Sequence, residues 1–181
     1  MLIGILLAAV LSGQTPGGFT PDLPETCLAA VVAERTIEAT DEPQCFVKWL
    51  YGPGVQAGLK PLGQDADRVF SRETAEAIRR AQTRTPRGEQ HPALQADPLC
   101  QCQDPHDLIL VLTYASASSE TISSGIIRFT FYPLYDRPVE DIRSEDIFEN
   151  TLVLVKQGDG WRVHDVLRPE SGYSFLASLA E

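Results

Sequence analysis

Apolar residues recur with a helical period in the first half of the chain and alternate with polar residues in the second half. In the first half, acidic caps followed by early prolines predict helices over residues 22–39 and 41–51. On the second of these, Phe46, Trp49 and Leu50 form one apolar face. A third helix is predicted over residues 71–83, and a polar loop with prolines follows over residues 84–96.

The period changes to two from Leu108 onward, which is typical of half-buried strands. The predicted elements are a strand over residues 108–116, a strand over residues 124–133, a hairpin over residues 151–167 and a short terminal helix over residues 173–181. In the hairpin, Trp161, Val163 and Asp165 alternate with their neighbours and are predicted to share a face. Helices followed by strands predict an α+β fold, with N-terminal helices packed on a curved antiparallel sheet of about four strands.

Residues 133–150 lack the alternation and the length of another strand pair, and they carry six acidic and two basic residues. Their apolar residues argue against disorder, and long insertions in compact domains are often functional. We therefore expect a partner-binding or pocket-covering insert, with a plain surface excursion as the alternative. The predicted binding residues are Tyr135, Ile142, Ile147 and Phe148.

The composition and charge of the chain argue against two classes of protein, nucleic-acid binders and membrane-spanning proteins. The chain has 181 residues, a formal charge of −10 and 43% apolar residues, which suits a single domain over residues 20–181. The excess of acidic residues argues against nucleic-acid binding, because neutralising phosphates needs surplus lysine and arginine. No apolar run approaches the roughly 20 residues that a membrane span requires, and no internal repeat is present.

The N-terminal residues predict the location of the protein. Residues 2–11 are ten consecutive apolar residues followed by small residues, which is typical of a secretory signal over residues 1–13. We therefore expect a periplasmic or secreted protein. A buried helix is the alternative, and an upstream start codon would explain the absence of basic residues before the apolar run.

The four cysteines agree with export, because an even number suits two disulfides in an oxidising compartment. Three pairings are possible, and reduced or metal-bound thiols are a further alternative. The two crossed pairings close longer loops and are favoured on chain entropy, but the connectivity stays open. The disulfide candidates are Cys27, Cys45, Cys100 and Cys102.

Residues 96–107 contain the most distinctive side chains. In an extended strand, Cys100, Cys102, Asp104 and His106 would point the same way. Alternate residues of a strand lie about 6.6–6.8 Å apart, so four in a row do not converge on one ion at bond lengths near 2.0–2.3 Å. We predict no metal site and no cofactor.

Signals for catalysis are weak elsewhere. The three histidines, His91, His106 and His164, lie in no recognisable nucleophile motif, and the carboxylate pairs Asp97/Asp104 and Asp104/Asp107 are more typical of turns. The arginines of the third helix suggest an anion-binding patch. The four-residue spacing of Arg72, Glu76 and Arg80 favours a solvated, charge-matched face instead. The arginines of the suggested anion-binding patch are those at positions 72, 79, 80, 84 and 87.

Two segments and one helix carry a resemblance to known proteins. The positions are Asp97, Pro98, Gln103 and Asp104, then Gly160, Trp161, Asp165 and Ser174, together with the aromatic-rich helix over residues 46–51. In these positions the sequence resembles a family of small exported bacterial proteins of unknown function. The resemblance covers roughly residues 43–179. It implies a cone-shaped α+β fold similar to that of nuclear transport factor 2 and ketosteroid isomerase. The family supplies no agreed activity, and a shared fold does not transfer chemistry.

Two functions follow from these observations. The first is a non-catalytic exported domain that binds an envelope protein or a small apolar ligand. The second is a pocket enzyme of the isomerase or hydrolase type, in which a buried aspartate acts as general base. For that enzyme the candidate bases are Asp104 and Asp165, and the candidate hydrogen-bond donors are Tyr51 and Tyr114. No sequence pattern indicates which oligomeric state the protein adopts.

Overall fold

The computed structural model of the protein describes residues 42–51, 58–100, 108–112, 117–131, 147–158 and 160–181. The predicted signal over residues 1–13, the predicted helix over residues 22–39 and most of the acidic insert lie outside these ranges. The described helices are α1 (Pro43–Trp49), α2 (Ala66–Val69), α3 (Arg72–Arg84) and α4 (Phe175–Ser178), with a single 3-10 turn at Pro92–Leu94. The described strands are β1 (Leu108–Leu112), β2 (Ala117–Ser118), β3 (Ile122–Phe131), β4 (Phe148–Gln157), β5 (Gly160–Arg168) and β6 (Tyr173–Ser174).

Local sequence explains two of these helices, and both predictions are confirmed. Helix α1 begins at a proline, whose fixed φ suits the first helical position. Phe46 and Leu50 are fully buried, and Trp49 packs partly buried against the core. Helix α3 begins after Ser71, whose side chain accepts a hydrogen bond from the Thr74 N–H.

Four short elements were not predicted: α2, β2, β6 and the 3-10 turn. Strand β6 occupies Tyr173–Ser174, where the terminal helix was predicted to begin, so that helix is confined to α4. Helix α2 is one turn long, and its N-terminal residue Asp65 accepts a hydrogen bond from the Lys60 N–H. Strand β2 is two residues long and pairs with β3. Elements of this length lack the periodicity that identifies longer ones in a sequence.

The strands form one antiparallel sheet in the order β1-β3-β4-β5-β6, with β2 also paired to β3. Four of the six strands are five residues or longer, which matches the predicted sheet of about four strands. Strand β4 begins at Phe148, so the last residues of the predicted insert belong to the sheet. The described residues therefore have the expected α+β architecture.

The predicted β4–β5 hairpin is confirmed. Gln157 pairs with Gly160, and Gly158 lies in the connection between the two strands. Gly158 has a φ of +63°, in the left-handed region that favours glycine. The sequence places glycine at the position where this turn needs it.

The strict alternation predicted for β5 is wrong beyond Val163. Val163 pairs with Leu154, whereas Asp165 pairs with Val153, so the residue between them has no partner on β4. That residue, His164, makes a β-bulge, and a bulge reverses the inward and outward order of the residues after it. Trp161 and Val163 are buried before the bulge, Val166 is buried after it, and Asp165 is left half-buried.

The core combines residues of helices, loops and sheet. Its largest fully buried side chains are Phe46, Phe70, Phe175, Leu50, Ile78, Ile127, Leu152, Leu154, Leu179, Val69 and Val163. Phe70 and Phe175 stack at 5.7 Å between ring centroids, which links the α2–α3 junction to α4. Over the part of the chain that the structure describes, no helix combines the length and apolar character that crossing a bilayer requires.

Candidate functional site

The turn at residues 97–100 is held by side chains from three separate parts of the chain. The Tyr51 hydroxyl donates to the Leu99 carbonyl at 2.8 Å, and the Asn150 amide donates to the same carbonyl at 3.0 Å. The Leu99 N–H donates to Oδ1 of Asp97 at 2.8 Å. These bonds fix the approach to β1 and occupy the hydroxyl proton of Tyr51, a candidate donor of the enzyme hypothesis.

Burial perturbs both Asp97 and Tyr51, and the charge of Asp97 also acts on Tyr51. Burial raises the pKa of Asp97, and the hydrogen bond from Leu99 offsets only part of that effect. Burial, and then the negative charge of Asp97, raise the pKa of Tyr51 well above its usual value. This corner of the molecule therefore holds a carboxylate in a poorly hydrated environment.

Asp165, a candidate general base, serves as a structural acceptor. Its Oδ1 accepts hydrogen bonds from the Val166 N–H at 2.8 Å and the Leu176 N–H at 2.9 Å. Its Oδ2 accepts one from the Ser174 hydroxyl at 2.6 Å, and Ser174 in turn caps α4 by accepting from the Ala177 N–H. The β5 bulge thus turns Asp165 toward the start of α4, where the carboxylate secures that helix.

A second polar cluster joins the start of α3 to the bulge, and sequence analysis did not find it. Ser71 and Thr74 are fully buried, with their hydroxyl oxygens 2.9 Å apart. Ser71 Oγ lies 3.1 Å from Nδ1 of His164, and the Thr74 hydroxyl donates to the His164 carbonyl at 2.6 Å. The cap at Ser71 is readable in the sequence, but its meeting with His164 depends on the unpredicted bulge.

The number of hydrogens that each group carries determines which groups donate and which accept in this cluster. The single hydroxyl proton of Thr74 goes to the His164 carbonyl, which accepts only. If every contact is a hydrogen bond, Ser71 donates to Thr74 and accepts from Nδ1–H of His164. In that arrangement His164 does not act as a base toward Ser71. The cluster therefore anchors a helix and does not activate a nucleophile.

Two of the predicted binding residues come together at the start of β4. Ile147 and Phe148 line a cavity of about 230 Å³, opposite the turn over residues 168–171 that connects β5 to β6. Phe148 is 43% exposed. Phe148 is therefore a candidate contact residue, since aromatic side chains are enriched among the residues that dominate binding energy at interfaces.

A larger groove, of about 1080 Å³, lies beside the C-terminal end of α3. The turn over residues 85–98 and the C-terminal residues form its walls. In it, Nδ1 of His91 accepts the Ala93 N–H at 3.3 Å, so His91 caps the 3-10 turn. Its lining includes Arg84, Glu89 and Tyr173.

The arginines of α3 are largely matched by acceptors. Arg79 contacts both carboxylate oxygens of Asp67 at 3.0 Å, and Arg80 lies 3.7 Å from Glu76. Arg84 donates to the Leu179 carbonyl. The Glu76–Arg80 pair has the i, i+4 spacing predicted for a charge-matched face.

Neither Cys45 nor Cys100 is a free thiol, and both are buried. Their pairing stays a prediction, because the other two cysteines lie outside the described residues. Within the described ranges, no three histidine, cysteine, aspartate or glutamate side chains come together as metal ligands. Six of the predicted residues lie outside these ranges: Asp104, Tyr114, Tyr135, Ile142, Cys27 and Cys102.

Comparison of the chain with models of protein families, with curated proteins and with solved structures finds no match. The described site residues comprise a buried hydrogen-bonded turn, two helix-anchoring clusters and an exposed apolar surface at the start of β4.

Proposed function

We propose that the protein is a non-catalytic domain of the periplasm or the secreted space that binds an envelope protein or a small ligand. The N-terminal apolar run and the even number of cysteines support export. We also propose that the sheet curves into the cone of the family that the sequence resembles. Register shifts in the β1–β3 and β4–β5 pairs support this curvature, because bulges bend strands and increase their twist.

The observation that carries the proposal is the surface formed by Ile147 and Phe148. Phe148 is 43% exposed, and burying the rest of its apolar surface against a partner would contribute favourable free energy. Here the phenylalanine lies beside a cavity whose opposite wall includes Arg168 and Pro169. An apolar side chain of a partner would bury Phe148 by entering this cavity.

Charge indicates the chemistry of the partner. Residues 136–149, which lead into this surface, contain six acidic and two basic residues. A partner surface with lysine or arginine around an apolar anchor would complement that segment and associate faster at low salt. We therefore propose a basic, apolar-centred surface on the envelope protein.

The hydrogen bonds of Asp165 favour binding over catalysis. A general base must offer an oxygen to the proton it removes. Both oxygens of Asp165 already accept hydrogen bonds, and two of the three donors are backbone amides, Val166 on β5 and Leu176 on α4, that cannot move away without disturbing those elements. An enzyme using Asp165 as its base would have to break this cap.

Replacing Phe148 with alanine tests the proposal. We expect recovery of an envelope partner on immobilised protein to fall about ten-fold or more, because a central aromatic contact is lost. Ile122→Ala is the matched control, since Ile122 is 54% exposed and lies at the other end of the β3–β4 pair. Equal recovery by the wild-type protein and by Phe148→Ala, with thermal unfolding unchanged, would contradict the proposal.

A further inference from the structure

A third cavity, open to solvent, lies beside Asp97, away from the residues that line the Phe148 surface. It measures about 380 Å³, and its walls are residues 60–63 and residues 94–97. No residue lines both this cavity and the one at the start of β4. Pro61, Leu62, Leu94 and Ala96 give it an apolar lining, and Asp97 and Lys60 are its ionisable residues.

Asp97 is compensated less completely than the other buried or half-buried aspartates that the structure describes. Asp65 accepts hydrogen bonds from the Lys60 N–H and from Arg68, and Asp165 accepts three. Asp97 accepts one, from the Leu99 N–H, through Oδ1. Among the described residues no cationic side chain forms an ion pair with it, Lys60 included.

The structural task of Asp97 does not require its charge. An asparagine carbonyl would accept the Leu99 N–H equally well and would avoid the cost of burying a carboxylate. Burial already raises the pKa of Asp97, which means that the environment disfavours the charged form. A carboxyl group beside a cavity, in surroundings that disfavour its charged form, is a candidate binding or reactive group.

The geometry points to a ligand. We propose that Asp97 and the cavity beside it bind the ammonium group of a small primary alkylamine. Oδ2 of Asp97 would accept the charge-assisted hydrogen bond, and the apolar lining would cover the alkyl chain. The cavity volume lies within the range of small-molecule sites, and the chain's net charge of −10 attracts cations.

The probe that tests this is n-butylammonium chloride, titrated at constant ionic strength against the ¹⁵N-labelled protein. The Leu99 amide is the reporter, because it donates to Asp97. We expect a saturable shift of this resonance, at least ten-fold weaker affinity in Asp97→Asn, and unchanged affinity in Glu76→Gln. Glu76 is an exposed acidic residue on α3 that does not line the cavity. Glu76→Gln therefore removes one negative charge, as Asp97→Asn does, but at a position outside the cavity.

Two further experiments test whether the cavity itself, and the ammonium group of the probe, are required for binding. Leu62→Trp fills the cavity and leaves every charge in place, so we expect it to abolish the saturable shift. n-Butanol carries the same alkyl chain without the ammonium, and we expect no saturation with it. Equal affinity of wild type and Asp97→Asn for butylammonium, or equal affinity of wild type for butanol, would overturn the proposal. Phe148→Ala should bind butylammonium normally, so the outcome is independent of the proposed protein-binding surface.

Discussion

Folding shifts the pKa values of Asp65 and Asp97 in opposite directions. The Lys60 N–H, followed by Arg68, stabilises the charged form of Asp65 against the opposing effect of burial, so the pKa of Asp65 falls. Burial dominates at Asp97, and its pKa rises. The same residue type therefore stabilises the fold with opposite dependence on pH at the two positions.

Asparagine at each position separates these effects. Because the pKa of Asp97 is raised, its stabilising contribution is complete below the ordinary aspartate value near 3.9 and is lost as pH rises through the folded value. The free energy of unfolding of Asp97→Asn relative to wild type should therefore increase between pH 3.5 and pH 7. The contribution of Asp65 is present above the ordinary value and is lost as pH falls, so Asp65→Asn should show the reverse trend. Urea unfolding across this range measures both, and parallel trends would contradict the assignment.

Ser71 makes the densest set of contacts in the cluster that anchors α3. Ser71→Ala removes the cap on the Thr74 N–H and the contacts with Thr74 and His164, so we expect a loss of about 1–2 kcal/mol in the free energy of unfolding. Thr83→Ala is the control, because Thr83 is exposed on the same helix and bonds only the Arg79 carbonyl. That control should change stability by less than about 0.5 kcal/mol. Equal effects of the two changes on chemical denaturation would argue against the anchoring role.

Sequence patterns predicted single residues well where the information is local. The start of α3 near residue 71, the apolar face of α1 and the turn of the hairpin all depend on neighbours within four residues. The contacts of Tyr51 with Leu99 and of Ser71 with His164 span 48 and 93 positions, and no local pattern encodes them. The role of Asp165 was missed for the same reason, since the bulge decides which way it points.

At the scale of elements, the β4–β5 hairpin shows how a short turn and a bulge together set a register. The turn aligns Gln157 with Gly160, and the extra residue His164 then shifts the pairing by one position. The sequence predicts the turn through its glycines, whereas nothing in the alternation marks the inserted residue. Both features are needed to bury Val163 and Val166 on one side of the strand.

Gly158→Ala tests the turn. A side chain at a φ of +63° is strained although no atom lies within 4 Å of the added Cβ, so we expect a loss of about 1 kcal/mol. Gly63→Ala is the matched control, because an added Cβ there meets ordinary contacts at 3.7 and 3.8 Å. We expect the control to lie within about 0.5 kcal/mol of wild type in the same unfolding measurement. A neutral Gly158→Ala would mean that the backbone strain is relieved elsewhere.

At the scale of the whole molecule, the order of helices and strands predicted the α+β class, because long elements carry strong periodicity. The cysteines bear on how these parts hold together. Cys45 lies on α1, and Cys100 lies in the turn over residues 97–100. Tyr51, which follows α1 in the chain, donates a hydrogen bond to the Leu99 carbonyl of that turn. Neither is a free thiol, in agreement with the oxidising compartment we propose.

Alkylation measures this directly. We expect Cys45 and Cys100 to resist iodoacetamide in denaturant until a reductant is added, as followed by peptide mass spectrometry. Reduction should lower the free energy of unfolding by about 2–4 kcal/mol, since closed loops restrict the unfolded chain. Modification of either cysteine without reductant would contradict the disulfides and weaken the case for export.

The outer edge of β5 has a consequence for association between copies of the protein. Phe70 forms a parallel bridge to Val163, the Ser71 N–H donates to the Val163 carbonyl, and β6 pairs with Leu167 and Arg168. The backbone groups along that edge are thereby shared between two short segments of the same chain. A strand covered in this way offers no long template for a neighbouring chain to extend. The junction before α3 therefore blocks strand pairing at this edge of the sheet as well as positioning a helix.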